Sequence, residues 1–237
     1  METYLSEISA LSLSFNSLIA EALELPPTAF DKFFDVPQQN KLKLVKYPSP
    51  PAEILTSSGG AAVQGVGPHQ DGSFLTYLLQ ATDHTGLEVQ NKAGKWIPAP
   101  PIPETLVINI GRSLQALTGG ICTATTHRVN LSPSNFISSS GKTLGPRYSF
   151  PIFQGVQIDL TKDKIDLKIP QHVKDLVRDE KVRSEAEATF NKMFGENVGE
   201  AVLISRITSH QDVGARWYPE LLEKALRAQR EFVASSS

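Results

Sequence analysis

Cys122 is the only cysteine in 237 residues. One thiol excludes an internal disulfide framework and any cysteine-built zinc cluster, and it fits a reducing, intracellular setting. Long apolar runs are also missing. No stretch approaches the roughly 18 residues of a membrane-crossing helix, and the N-terminus lacks the basic-then-apolar start of a signal peptide. Charge of one sign is scarce too: the net charge is −2, with no reason to expect nucleic acid or an acidic membrane surface as partner. A cytoplasmic location is the expectation. Forty per cent apolar and 20% charged residues are ordinary for a globular chain long enough for one sizeable core.

The N-terminus reads as a helix, with Tyr4, Ile8, Leu11, Phe15, Leu18 and Ala22 as one apolar face, ended by Pro26-Pro27. A second short helix carries Phe30, Phe33 and Phe34. From about residue 41 the pattern changes to short β-branched and aromatic runs separated by turn residues. Strands are expected at 42–47, 62–69, 74–80, 86–91, 95–98, 105–110, 122–130, 147–154 and 156–160. Their spacing predicts an all-β barrel or sandwich. Residues 132–146 form a polar loop able to move over a site. Helix returns over 171–194 and 219–233, the latter opened by Pro219 and buried through Leu222, Ala225, Leu226 and Phe232. The chain is mainly β with flanking helices: 1–40 helical, 41–160 a β core, 161–237 a helical extension, all within one structural domain.

Within the β core lies His69-Gln70-Asp71, followed by His127 and by Arg147-Tyr148-Ser149. On an extended strand, residues two apart share a face, so His69 and Asp71 point one way. Two imidazoles and a carboxylate, with other coordination positions open, form the facial arrangement of non-haem Fe(II) oxygenases. Arg147 and Ser149 share a face by the same period, and a guanidinium beside a hydroxyl suits a carboxylate. Each feature alone has a plainer reading: a packed His127, a surface Arg147, an edge-strand Ser149. The tripeptide even recurs as His210-Gln211-Asp212, but that copy follows every expected strand and looks like turn or capping residues.

Taken together, the stretch from Gly65 to Ile152 resembles the core of the Fe(II)/2-oxoglutarate-dependent dioxygenases of the isopenicillin N synthase-like group. The residues that carry this are His69 to Thr76, Gly86-Leu87-Glu88-Val89, Trp96-Ile97-Pro98, Leu106 to Gly111, Leu114 to Thr118, His127-Arg128-Val129 and Arg147-Tyr148-Ser149. Lys46-Tyr47-Pro48 and the N-terminal helix extend it more loosely. The resemblance implies a double-stranded β-helix, or jelly roll. It implies Fe(II) held by His69, Asp71 and His127, and the far carboxylate of 2-oxoglutarate held by Arg147 and Ser149 with help from Tyr47. Lys46 stands where an Asn is common. Phe153 matches a position that lines the substrate pocket, while Asn109 and Leu87 are read as structural.

The implied reaction oxidises a small organic molecule, a secondary metabolite by resemblance. Hydroxylation, desaturation or cyclisation consumes dioxygen and releases succinate and CO2, with ascorbate as a reductant. Members commonly carry further helices and strands ahead of the helix that begins here at Met1. An uncovered apolar patch or sheet edge in a short form favours self-association. Three alternatives stay open: an iron oxidase that needs no 2-oxoglutarate, a zinc hydrolase at the same ligands, and a non-catalytic protein that binds metal and 2-oxoglutarate in the same fold.

Overall fold

Branched and aromatic runs fold into nine strands among the described residues of the computed structural model, which are 1–35, 39–56, 63–195 and 197–235. In chain order they are β1 (Lys41–Leu42), β2 (Val45–Tyr47), β3 (Val63–His69), β4 (Leu75–Gln80), β5 (Leu87–Gln90), β6 (Trp96–Pro98), β7 (Val107–Ile110), β8 (His127–Leu131) and β9 (Arg147–Gln154). One sheet has the order β1-β9-β4-β7, with β2 also paired to β9; the other is β3-β8-β5-β6. Every pairing is antiparallel. From β3 onward the chain alternates between the sheets, except for the β5–β6 hairpin within one of them, which gives the jelly-roll order.

The helices are α1 (Glu2–Ala22), α2 (Ala52–Thr56), α3 (Arg112–Leu117), α4 (Gln171–Lys174), α5 (Glu180–Phe194), α6 (Val198–Ser209), α7 (Gln211–Trp217) and α8 (Pro219–Ser235). None among the described residues is long and apolar enough to cross a membrane.

Alternation along the strands separates two apolar layers. Tyr77, Ile108 and Ile152 turn to the helix side and meet Ile8, Phe30, Phe33, Leu114 and Phe194 in the main core. Phe74 anchors that layer, with the rings of Phe30 and Phe34 edge-on to it at 5.2 and 5.0 Å. Leu78 and Val107 turn the other way, toward Leu87, Val129, Leu131 and Phe136. The first sheet is therefore held rigidly by its helix layer, while its opposite face looks into the space between the sheets.

Several expectations need correction. The N-terminal helix forms, but Leu18 is 57% exposed and Ala22 also faces out; Ile8, Ser12, Asn16 and Ala20 are the buried side. Its rotation is set by a polar contact that apolar periodicity does not register: Gln154 Nε2 donates to Asn16 Oδ1 at 3.1 Å, with both residues buried. The expected 42–47 strand is split, and the 122–130 strand starts only at His127. Residues 156–160 form no ladder. Their backbone groups pair with Phe33, Val198 and Gly199, while Val156 and Leu160 fill the core. The 132–146 loop is tied down by Phe136, buried edge-on against His84 at 5.1 Å. Residue 62 and the Phe232 side chain lie outside the described residues.

Candidate metal centre

Backbone register builds the site. β3 pairs with β8 so that His69 stands opposite His127, after two irregularities in the ladder at Gln64/Val66 and Val66/His69. Asp71 lies just past the end of β3, in the turn into β4, where its carbonyl accepts a hydrogen bond from the Arg112 N–H at 2.8 Å. The period-two expectation for His69 and Asp71 therefore does not describe the geometry; the turn does. One ligand atom each from His69, Asp71 and His127 lies within 4.8 Å of the others, the one such group of its kind among the described residues.

Neighbouring polar groups orient all three side chains. His69 Nδ1 is 2.8 Å from the Gly67 carbonyl oxygen, and His127 Nδ1 is 3.1 Å from that of Thr125. Those carbonyls assign the proton to Nδ1 in each ring, and Nε2 keeps its lone pair for a metal. The two Nε2 atoms stand 3.5 and 3.8 Å from Asp71 Oδ1. Asp71 Oδ2 faces away and accepts hydrogen bonds from Thr76 Oγ1 at 2.7 Å and Asn109 Nδ2 at 2.9 Å. Asp71 is 6% exposed. Burial works against its ionisation, but the hydrogen bonds from His69 and Thr76 and the nearby His127 outweigh that, so its pKa falls below the ordinary carboxylate value. The hydrogen bond to Asp71 in turn holds the His69 imidazole above its usual value, against partial burial. His69 is the open side of the triad, its side chain 40% exposed.

These ligands sit in a cavity of about 340 Å³ between the sheets, and every residue expected at the site lines it: His69, Asp71, His127, Arg147, Ser149, Tyr47 and Phe153. β9 pairs with β4 from Ser149 to Gln154 without a register shift, so Pro151 introduces no bulge. Arg147, Ser149, Pro151 and Phe153 consequently all face the cavity. Arg147 is 1% exposed. Its Nη2 reaches Gln80 Oε1 at 3.4 Å, while Nη1 is buried with no hydrogen-bond partner among the described residues. The β2–β9 register sets Tyr47 opposite Arg147, and the guanidinium carbon stands 5.0 Å from the centre of the Tyr47 ring. Burial pulls the Arg147 pKa below the ordinary arginine value, with Tyr47 opposing.

Sequence reasoning missed Thr76, and it read Asn109 as structural, yet both hold Asp71. The signal for Asn109 was a polar residue in the otherwise apolar strand Val107–Ile110. The His210 copy of the tripeptide does stand at a helix boundary. His210 precedes α7, its Nδ1 lies 3.0 Å from Ser209 Oγ, and Asp212 falls in the first turn of that helix. A larger groove of about 480 Å³ lies elsewhere, between α3, α5 and residues 165–171. Among the described residues no carboxylate or imidazole lines it, so the chemistry belongs to the smaller cavity.

Two neutral imidazoles and one carboxylate suit Fe(II) with positions left for a chelating ligand and dioxygen. The unpartnered Arg147 Nη1 is a buried cationic donor without an anion, which the carboxylate of 2-oxoglutarate would satisfy. The donor set and the orphaned nitrogen therefore both fit these groups.

Comparison with known proteins agrees. A 2-oxoglutarate-dependent dioxygenase of Gibberella zeae is 44% identical over 231 residues, covering 98% of this chain and 60% of that protein. The 2-oxoglutarate-dependent dioxygenase frbJ of a Dothideomycetidae species is 45% identical over 228 residues, covering 93% and 58%. This chain thus spans about three fifths of the length of both relatives. Among solved structures, a full-length Neurospora crassa protein in complex with alpha-KG superposes with a TM-score of 0.57 at 29% identity, over 67% of this chain and 50% of that one. The same protein with alpha-KG and 5-formyluracil gives a TM-score of 0.60 at 25% identity, over 80% and 58%. Residues 38–155, which include every strand carrying the metal ligands and Arg147, match the 2OG-Fe(II) oxygenase superfamily, and the chain belongs to that family.

Proposed function

We propose that this chain is an Fe(II)- and 2-oxoglutarate-dependent oxygenase that hydroxylates, desaturates or cyclises a small organic molecule, with dioxygen consumed and succinate and CO2 released. The carrying observation is Arg147: a buried guanidinium with an unpartnered nitrogen, on the wall of the cavity that also holds His69, Asp71 and His127. An isolated buried cation is costly unless an anion completes it. The family's co-substrate supplies that anion.

In this reading His69, Asp71 and His127 hold the metal through Nε2, Oδ1 and Nε2. Their outer atoms are already committed to Gly67, Thr76, Asn109 and Thr125, so little reorganisation accompanies binding. Arg147 receives the far carboxylate of 2-oxoglutarate in a charge-assisted pair, with Ser149 and Tyr47 as neutral donors beside it. When bound, iron and 2-oxoglutarate supply dioxygen activation and substrate oxidation. The chain's own part is to position and to exclude water. Val66, Leu78, Val89 and Val107 line the cavity with apolar surface, and Phe153 bounds the substrate side. A reducing, cytoplasmic setting suits a ferrous site.

Succinate formation is the test, with Fe(II), ascorbate, 2-oxoglutarate and a panel of apolar metabolites. Turnover that disappears in Asp71→Ala is the expected result. Binding of 2-oxoglutarate without turnover on any substrate would instead assign the fold a non-catalytic, ligand-binding role.

A further inference from the structure

Lys43 lines the same cavity, and the oxygenase chemistry leaves it unused. It lies between β1 and β2, where its backbone N–H donates to the Pro151 carbonyl at 3.0 Å. That bond anchors it four residues along β9 from Arg147, roughly 13 Å away at strand spacing. Its ammonium stands 5.5 Å from the centre of the Phe153 ring. Lys41 pairs with Phe153 in the β1–β9 register. Burial, then repulsion from Arg206 of α6 and from Lys43, lowers the Lys41 pKa. Of the three cations Lys41, Lys43 and Arg206, only Lys43 lines the cavity. Among the described residues no salt bridge reaches any of them.

The charges of the cavity can be balanced group by group. Among the described residues Asp71 is its only acidic lining residue, and it faces the metal position. A ferrous ion and a doubly charged 2-oxoglutarate cancel each other, and Arg147 cancels Asp71 in the sum. Lys43 remains as one further positive charge, exposed at the cavity rim beside the Phe153 ring. Such a rim attracts and orients an anion.

We propose that the substrate is an apolar molecule bearing a carboxylate, and that Lys43, at the cavity rim beside Phe153, receives that carboxylate. This rests on the oxygenase reading, which assigns Arg147 to the co-substrate. The remaining donor then selects the substrate by charge, while the apolar lining accommodates its body. A neutral amide still offers the ammonium a carbonyl acceptor but no negative charge, so discrimination falls on the charge-assisted part of the bond.

The experiment titrates matched acid and amide pairs, 3-phenylpropionate with 3-phenylpropionamide and octanoate with octanamide, into the full chain. The protein is first saturated with Mn(II), which blocks turnover, and with 2-oxoglutarate, which occupies Arg147. Calorimetry should show each acid binding about tenfold more tightly than its amide, the step of one charge-assisted hydrogen bond. Lys43→Met should remove that preference and Lys43→Arg should keep it. Equal binding of acid and amide, a preference that survives in Lys43→Met, or failure of both acids to bind would each overturn the proposal. Binding of 2-oxoglutarate is titrated separately: its failure defeats the oxygenase reading, whereas its success with an indifferent rim defeats only the role of Lys43.

Discussion

His69 and His127 face each other across β3 and β8, in register, with their ring centres 4.3 Å apart. The pairing of two strands, and not closeness in the chain, therefore creates the metal position, and Asp71 completes it from the turn beyond β3. A one-residue slip of either strand would send one imidazole to the opposite face. Asp71→Ala should consequently leave the fold intact yet lower Mn(II) affinity by more than the roughly 10–100-fold attached to losing an outer hydrogen bond. Electron paramagnetic resonance of added Mn(II) reads this directly. Unchanged affinity would remove Asp71 from the ligand set.

Thr76 and Asn109 offer a finer test, because both hydrogen bonds end on Asp71 Oδ2. Thr76→Val keeps the side-chain shape and removes the donor; Asn109→Leu does the same more coarsely. Each should weaken metal binding by roughly 10–100-fold, and Thr76→Ser should recover most of the loss. The two effects should not add, since the carboxylate is oriented jointly. Full additivity would mean that the two donors act independently.

Arg147→Met separates binding from stability. Loss of a hydrogen bond to a charged group should weaken 2-oxoglutarate by about 1.5–3 kcal/mol. The ligand-free protein should not lose stability in proportion, because the change also removes a buried cation with an unpartnered nitrogen. Calorimetric titration and thermal melting of one preparation give both numbers. An unchanged 2-oxoglutarate affinity would sink the clamp assignment.

Those three sites show what the sequence made legible and what it did not. His69, His127 and Arg147 stand at strand ends, with Ser149 two residues into β9, and they were legible through their joint order and spacing. The strands were readable because alternation and turn residues are local signals. Rotation of α1 was not readable, because Asn16 and Gln154 fix it through a contact between the chain's beginning and its middle. β3 ends at His69 as expected, but the placement of Asp71 beyond it depends on a turn held by Arg112, again a distant residue. The 156–160 segment has strand composition, but its backbone groups find partners in Phe33, Val198 and Gly199 rather than in a neighbouring strand. Tertiary hydrogen bonds overrode local preference in all three.

His84 supplies the pH dependence. It is 1% exposed, its Nε2 lies 2.9 Å from the Gly145 carbonyl, and its ring meets Phe136, so it pins the loop that leads into Arg147. Burial lowers its pKa below the ordinary histidine value, outweighing the opposing effect of the Gly145 carbonyl. The unfolded chain therefore takes up this proton more readily than the native one. Its contribution is complete above the unfolded value of about 6.5 and declines as pH falls toward the lower native value. The raised pKa of His69 acts with the opposite sign in metal-free protein: its pairing with Asp71 stabilises at low pH and is lost as pH rises. Total stability mixes the two, so the comparison must be between variants. Denaturant titrations of wild type and His84→Gln, run on metal-free protein at steps below about pH 6.5, should converge as pH falls, because only the wild type loses the His84 contribution. Parallel stability curves for the two proteins would show that this buried imidazole does not govern the acid response.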